Sequence, residues 1–511
     1  MFGAGSERRG GTLRSADQRH VYGAPEKSLT HDVKQVLNPA RVAHFIVLTV
    51  LSTSALAQSA HGSIDQLNFT TSWVGITALV LFILAYILVV AEEFTHLRKS
   101  IPVMVAAGII WGLLAFAYAQ HGIDNVAETA VRGILIEFGE LFLFLLVAMT
   151  YVNAMTERRI FEGLRAWLVN LDFSYRRLFI VTGLISFFLS PVIDNLTTAL
   201  VMCAVVMAVG KGNDRFVGLG CINIVVAANA GGAFSPFGDI TTLMVWQAGH
   251  IEFNTFFALF LPSVVNYAIP AAAMYLAVPN IVPEIPKDRV RIKRGALVIV
   301  GLFACTIGLA VSFHNFLNLP PFLGMVTGLG LLKIYGYYLN VTHEPHPDDE
   351  LELDQVGDVG AFNSFKAVAR SEWDTLLFFF GVIMCVGALG FVGYLTLISE
   401  WMYTDLGPTI ANSLVGVLSA LVDNIPVMVA VLQMEPAMDE LQWLLVTLAA
   451  GVGGSLLSVG SAAGVALMGQ SNGKYTFFGH LKWTPIIAVG FVASIYVHLW
   501  VNARFTGVFV G

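Results

Sequence analysis

The chain has 511 residues, 56% of them hydrophobic and only 12% charged, with a mean hydropathy of +0.73. So much apolar sequence excludes an ordinary soluble domain, and it supplies many runs that reach the roughly 20 residues needed to cross a bilayer. A net charge of −7 gives no ground for nucleic acid as a partner, so the expected fold is an all-α polytopic membrane protein.

Residues 1–40 are polar, rich in Gly, Ser and Arg and without periodicity, which predicts a disordered N-terminal extension. Residues 41–60 fit either a signal peptide, with Ala55-Leu56-Ala57 ahead of Gln58 as its cleavage site, or a first transmembrane helix. Further apolar spans are predicted at roughly 72–91, 101–119, 134–152, 218–248, 255–279, 295–312, 320–338, 374–392, 441–470 and 484–504. Those within 61–133 form a set of N-terminal transmembrane helices, and those within 280–373 are connecting helices that carry an acidic loop, HEPHPDDELELD. The four cysteines, Cys203, Cys221, Cys305 and Cys385, all fall inside apolar runs and read as core residues. None of the motifs calls for a cofactor.

Two segments break the pattern. Residues 178–209 and 408–434 each consist of two short apolar arms meeting at an Asp-Asn pair, in SPVIDNLTTALVM and SALVDNIPVMVAVLQM. Each is followed by a long apolar span broken by glycine, in AANAGGAFSPFGDITTLM and AAGVGGSLLSVGSAAGVALM. The basic loops at Arg158 to Arg177, at Lys211 and Arg215, and at Lys287 to Arg294 all fall on the cytoplasmic side only if 178–209 is a hairpin that enters and leaves there. The same test makes 408–434 a hairpin entering from outside, with Lys474 and Lys482 inside. The halves 134–279 and 374–504 then form two inverted-topology repeats, each with a re-entrant hairpin and a broken transmembrane helix.

Carboxylates at membrane depth are costly unless they bind something. Asp194 and Asn195 at one tip, Asp423, Asn424 and Ser419 at the other, and Asn229, Asp239, Thr241, Thr242, Ser458 and Ser461 along the breaks supply the oxygen ligands that hard cations prefer. No Lys or Arg lies within these four segments, so nothing there neutralises the acids. A carboxylate taken out of water favours its protonated form, and a bound Na+ competes with that proton. The bland alternative is helix capping, which Asp and Asn do well and which leaves the charge of Asp239 unexplained. Glu137, Glu140 and Asp374 are assigned to the first turns of their helices, where the macrodipole favours acids; Glu140 toward one mouth and Asp374-Thr375 toward the other are nevertheless candidates for cation relay. The FGD before Ile240 faintly suggests an intramembrane aspartyl protease, but no second Asp in a Tyr-Asp context accompanies it.

The strings SPVIDNLTTALVM, NAGGAFSPFGDITTLMVWQAG, SALVDNIPVMVA and SVGSAAGVALMG resemble the NhaD-type sodium/proton antiporters of the ion transporter superfamily, over roughly residues 70–504. The resemblance implies proton influx driving Na+ or Li+ efflux across a bacterial inner membrane, by a homodimer. It also implies ion-binding roles for Asp194, Asn195, Asn229, Asp239, Thr241, Thr242, Asp374, Thr375, Ser419, Asp423, Asn424, Ser458 and Ser461, with Na+ or Li+ held at Asp194, Asp239 and Asp423. Na+-coupled dicarboxylate carriers and arsenite permeases of the same superfamily are the alternatives. The dicarboxylate branch carries Ser-Asn-Thr where this chain has Asp-Asn, and acids at those points repel a dianion.

Overall fold

The computed structural model describes residues 67–95, 97–283, 290–342 and 364–505. The expectations for residues 1–40 and 41–60 and for the acidic loop lie outside the described residues.

All regular elements among the described residues are helical, and ten helices have the length and composition to cross a membrane. In chain order the main helices are α1 (Trp73–Val90), α2 (Ser100–Gln120), α3 (Val126–Glu157), α4 (Ile160–Val169), α5 (Tyr175–Ile193), α6 (Asn195–Val209), α7 (Asp214–Gly232), α8 (Ile240–Gln247) and α9 (Phe260–Ala277). They continue with α10 (Ala296–Leu317), α11 (Pro321–Val341), α12 (Trp373–Val392), α13 (Pro408–Val422), α14 (Asn424–Met434), α15 (Glu440–Gly453), α16 (Ala462–Gln470) and α17 (Thr484–Val501). Of the spans, α7 and α12 are 89% and 78% buried, against 28% for α1, α3, α10 and α17, so α7 and α12 form the centre. The outer helices turn large apolar side chains outward, among them Leu276, Leu297 and Trp500. A surface of that kind suits lipid and not water.

One boundary departs from expectation. The span expected at 134–152 is a helix of 32 residues, Val126–Glu157, that begins at Asn125 and places Glu128 in its first turn, 2.7 Å from Arg132. Glu137 and Glu140 therefore stand in mid-helix, and the macrodipole argument does not apply to them. The apolar run marks only the bilayer-depth part of α3, while its polar first turns extend the same helix beyond that.

The two segments with Asp-Asn tips are pairs of arms, α5 with α6 and α13 with α14, each pair packed together and joined at its aspartate. Both following spans are interrupted, α7 from α8 and α15 from α16. The local geometry repeats in detail. Ser190 donates to Ala228 O at 2.6 Å, and Ser419 donates to Ala450 O at 2.8 Å. Asp239 and Ser461 open the second half of each broken helix with φ, ψ of −146°, 150° and −147°, 148°. The basic loops also gather, since Lys293 N donates to Arg158 O at 3.2 Å and Lys474 pairs with Asp214 at 3.1 Å.

Glycine permits the breaks to lean on the arms. A Cβ on Gly231 would strike the backbone carbonyl of Phe187 in α5, and one on Gly453 would strike that of Gly416 in α13. Gly231→Ala and Gly453→Ala are each expected to lower stability by about 1–3 kcal/mol. Gly108→Ala in α2, where a Cβ meets nothing within 4 Å, is expected to be neutral or mildly stabilising. Thermal melting of the three purified variants in detergent checks the contrast.

Candidate functional site

Asp239 stands at the first break and is 4% exposed. Because Asn195 starts α6 and Asn424 starts α14, the tips of both hairpins deliver an amide to it. Asn195 Nδ2 donates to Asp239 Oδ2 at 2.9 Å, and Asn424 Nδ2 donates to Oδ2 at 2.9 Å and to Oδ1 at 3.1 Å. Asn195 Nδ2 also reaches Asn229 Oδ1 at 3.1 Å, and Asn229 Nδ2 donates to Ser455 Oγ at 2.9 Å and Ser461 Oγ at 3.0 Å. One network therefore joins both tips to both breaks. Thr242 Oγ1 donates to the carbonyls of Ser235, 2.8 Å, and Asp239, 2.6 Å, holding the first break in shape, with the Thr241 hydroxyl beside Asp239.

Capping is present at all three aspartates. Asp194 accepts from Thr197 N at 2.7 Å and Thr197 Oγ1 at 2.8 Å, Asp423 from Asn424 N at 2.8 Å, and Asp239 Oδ1 from Thr241 N at 3.1 Å. Asp239 is thus a cap as well, and the cap alone still leaves its charge unexplained. Capping does not account for the backbone at the tips, however. Asp194 lies at φ 71°, ψ 159° and Asp423 at φ 81°, ψ 148°, a region that is essentially glycine's and costs another residue about 1–3 kcal/mol. Ordinary caps sit in the β region at no such cost.

A cavity of about 100 Å3 opens beside these groups, lined by Asp194, Asp239, Asn195, Asn424, Thr197 and Thr375. Two residues that the motifs did not single out line it too. Lys99, at the start of α2, and Glu372, just before α12, both face this cavity, and Glu372 accepts from Thr375 Oγ1 at 3.1 Å. The basic side chain absent from the four segments is thus supplied from a fifth. In chain order Lys99 is one of a group of basic residues at a membrane edge and Glu372 a neighbour of Asp374, so neither carries a signal of its own.

Asp374 does not line the cavity; it accepts a short hydrogen bond from Ser100 Oγ, tying α12 to α2. Glu140 is half-buried in the middle of α3, away from the cavity lining. Ser419 is fully buried and committed to Ala450 O, Ser461 caps α16 through Gly464 N at 3.3 Å, and Ser458 is buried beside the Tyr475 hydroxyl. Tyr475 and His480 form a brace that sequence reading missed. His480 Nδ1 meets Tyr475 Oη at 2.8 Å, and Nε2 meets the carbonyl of Ser455 at 2.9 Å. At Asp423, glycine is expected to relieve the backbone strain and to forfeit only a few tenths of a kcal/mol of capping, whereas alanine keeps the strain and loses about 1 kcal/mol. Asp423→Gly should therefore melt at or above the parent temperature and Asp423→Ala below it, as read by thermal unfolding in detergent.

A family model described as "Citrate transporter" matches residues 86–451. Over 468 residues the chain is 55% identical to the Na(+)/H(+) antiporter NhaD of Alkalimonas amylolytica, covering 90% of this chain and 96% of that protein. The NhaD of Vibrio cholerae serotype O1 is likewise 55% identical over 465 residues, with 89% and 97% covered. Sodium/proton antiporter 1 of Arabidopsis thaliana is 32% identical over 476 residues, with 89% and 77% covered. Identity of this extent, running through both hairpins and both breaks, makes the chain a member of the NhaD-type sodium/proton antiporter family.

Proposed function

We infer that this protein is a multi-pass membrane antiporter that exchanges Na+ for H+ at the carboxylates of the paired hairpin tips. The observation that carries this reading is the convergence of Asn195 and Asn424 on the buried Asp239, with Asp194 lining the same cavity. An amide that offers its NH2 to a carboxylate also has a carbonyl oxygen, and turned over it becomes a cation ligand. Na+ held by Asp239 and Asp194 is then surrounded by oxygens from Asn195, Asn424 and the nearby threonine hydroxyls. Thr242, Ser419 and Ser461 hold the breaks and the second tip in the geometry this requires, Thr241 and Ser458 offer buried hydroxyls that bond to nothing else among the described residues, Asp423 is the third acid and Thr375 stands at the cavity wall.

Exchange follows from competition. Burial penalises the anionic form of a carboxylate, so an acid that has released Na+ takes up a proton before the site can cross the low-dielectric barrier. The repeats at 134–279 and 374–504 have inverted topology and alternate access to the shared centre. The cavity is lined by Asn153 near the end of α3 and by Glu372 and Thr375 at the start of α12, and the run of basic residues that follows α3 in the chain places that side in the cytoplasm of an inner membrane by the positive-inside rule. Li+, smaller and equally suited to oxygen ligands, is a second substrate, and the protein works as a homodimer. An anionic substrate fits poorly, since a unit negative charge 4 Å from a carboxylate is repelled by about 4 kcal/mol at an effective dielectric of 20.

Asp194→Asn, Asp239→Asn and Asp423→Asn are each expected to abolish Na+-induced proton movement in everted vesicles or proteoliposomes across the whole pH range, with the protein still inserted. Absence of any Na+- or Li+-dependent proton flux from folded parent protein overturns the reading. Two acids exchanging their protons for one Na+ move net charge, so an interior-negative potential imposed with K+ and valinomycin should accelerate Na+ efflux. A rate indifferent to potential removes the two-proton count while leaving exchange intact.

A further inference from the structure

Lys99 is a cation placed beside an acidic cation site, on an element that belongs to neither hairpin and neither broken helix. It lines the cavity with Asp194, Asp239 and Glu372. Its ammonium rests 4.8 Å from the centre of the Phe378 ring on α12, and no ion pair joins it to a carboxylate among the described residues. Phe378 is itself buried, at 1% exposure, so its ring is a fixed resting place. A lysine ammonium is a compact charge on a flexible four-carbon stem, and the aromatic face is a weak hold compared with a carboxylate in a half-buried cavity.

We propose that Lys99 is a built-in competitor for the transported cation, leaving the Phe378 face for the acid cluster in the interval between the departure of Na+ and the arrival of protons, and returning to it when Na+ enters. In this role Lys99 sets the Na+ concentration at which the carrier loads from the cavity side. The proposal rests on the exchange reading above. It differs from a merely topological role for a basic residue at a membrane edge, because the marking of sidedness does not alter the affinity of a correctly inserted carrier for Na+.

The test uses full-length parent, Lys99→Gln, Lys99→Arg and Phe378→Leu in proteoliposomes at one fixed pH, with Na+-induced proton flux followed against Na+ concentration. Na+-induced thermal stabilisation in detergent gives binding independently of transport. Lys99→Gln is expected to lower the half-saturating Na+ roughly three- to tenfold, the size of a charge interaction at a partly screened site, and to lower the maximal rate as Na+ leaves more slowly. Lys99→Arg should stay near the parent, and Phe378→Leu, which frees the ammonium from its resting place, should raise the half-saturating Na+. An unchanged or raised value for Lys99→Gln, or an arginine variant indistinguishable from it, overturns the proposal. If Lys99→Gln does not insert, an unchanged value for Phe378→Leu overturns it alone. A parent that couples no Na+ to protons removes the exchange reading and this inference together, whereas an active parent with an insensitive Lys99→Gln removes only the role of Lys99.

Discussion

The interaction on which the centre of this protein depends is the grip of two asparagines, one from each hairpin, on a single buried carboxylate. Asp239 receives Asn195 from the start of α6 and Asn424 from the start of α14. A buried carboxylate is tolerable only when donors surround it, and here those donors come from chain segments about 230 residues apart. The tips cannot separate without leaving both amides and the carboxylate short of partners, at about 1–3 kcal/mol for each buried group. Asn229 extends the same constraint to the second break through Ser455 and Ser461. The site is thus the joint that fixes the hairpins and breaks relative to one another.

Around this joint the chain accepts local strain to end its helices abruptly. Each arm runs up to an aspartate in a backbone region suited to glycine, and the returning arm begins at the next residue. A relaxed connection needs several residues and moves the asparagine away from Asp239. The neighbouring glycines act in the same direction: a Cβ at Gly232 would stand 2.6 Å from the carbonyl of Gly238, and one at Gly454 would stand 2.5 Å from that of Gly460. Helix ends whose orphan groups point into a shared space are a means of binding ions at membrane depth, and strain concentrated at such a place is characteristic of functional sites.

What the sequence discloses follows from cost. Asp-Asn pairs and glycine breaks inside apolar runs are expensive in a bilayer, so they announce themselves, and hairpins, breaks and most candidate ligands are readable from them. The rest depends on proximity that no single segment records. Glu372 and Lys99 reach the cavity from segments that read as loop edges, and the first-turn place expected for Glu137 and Glu140 is wrong because the polar first turns of α3 resemble a loop beside its apolar run. Asp374 is a candidate for cation relay by its place toward one mouth, yet one residue's rotation on a helix turns Thr375 to the cavity and Asp374 to Ser100. The brace of His480 and Tyr475 lies in a short connection with no motif at all.

The repetition of the two breaks is close in geometry but unequal in charge, and the inequality has a physical reason. Asp239 and Ser461 share backbone angles within a few degrees and both cap the following helix, so an aspartate would fit at either place. Asn229 bridges the two, donating from its Nδ2 to Ser461 Oγ and accepting at its Oδ1 from Asn195 Nδ2. A second carboxylate at 461 would add another like charge to a centre that already holds Asp194, Asp239 and Asp423, and at an effective dielectric of 20 each close pair of acids is opposed by about 4 kcal/mol at 4 Å. Serine keeps the cap and the oxygen without the charge. The scaffold is in this way free to duplicate its shape while placing a carboxylate at the first break and only a hydroxyl at the second.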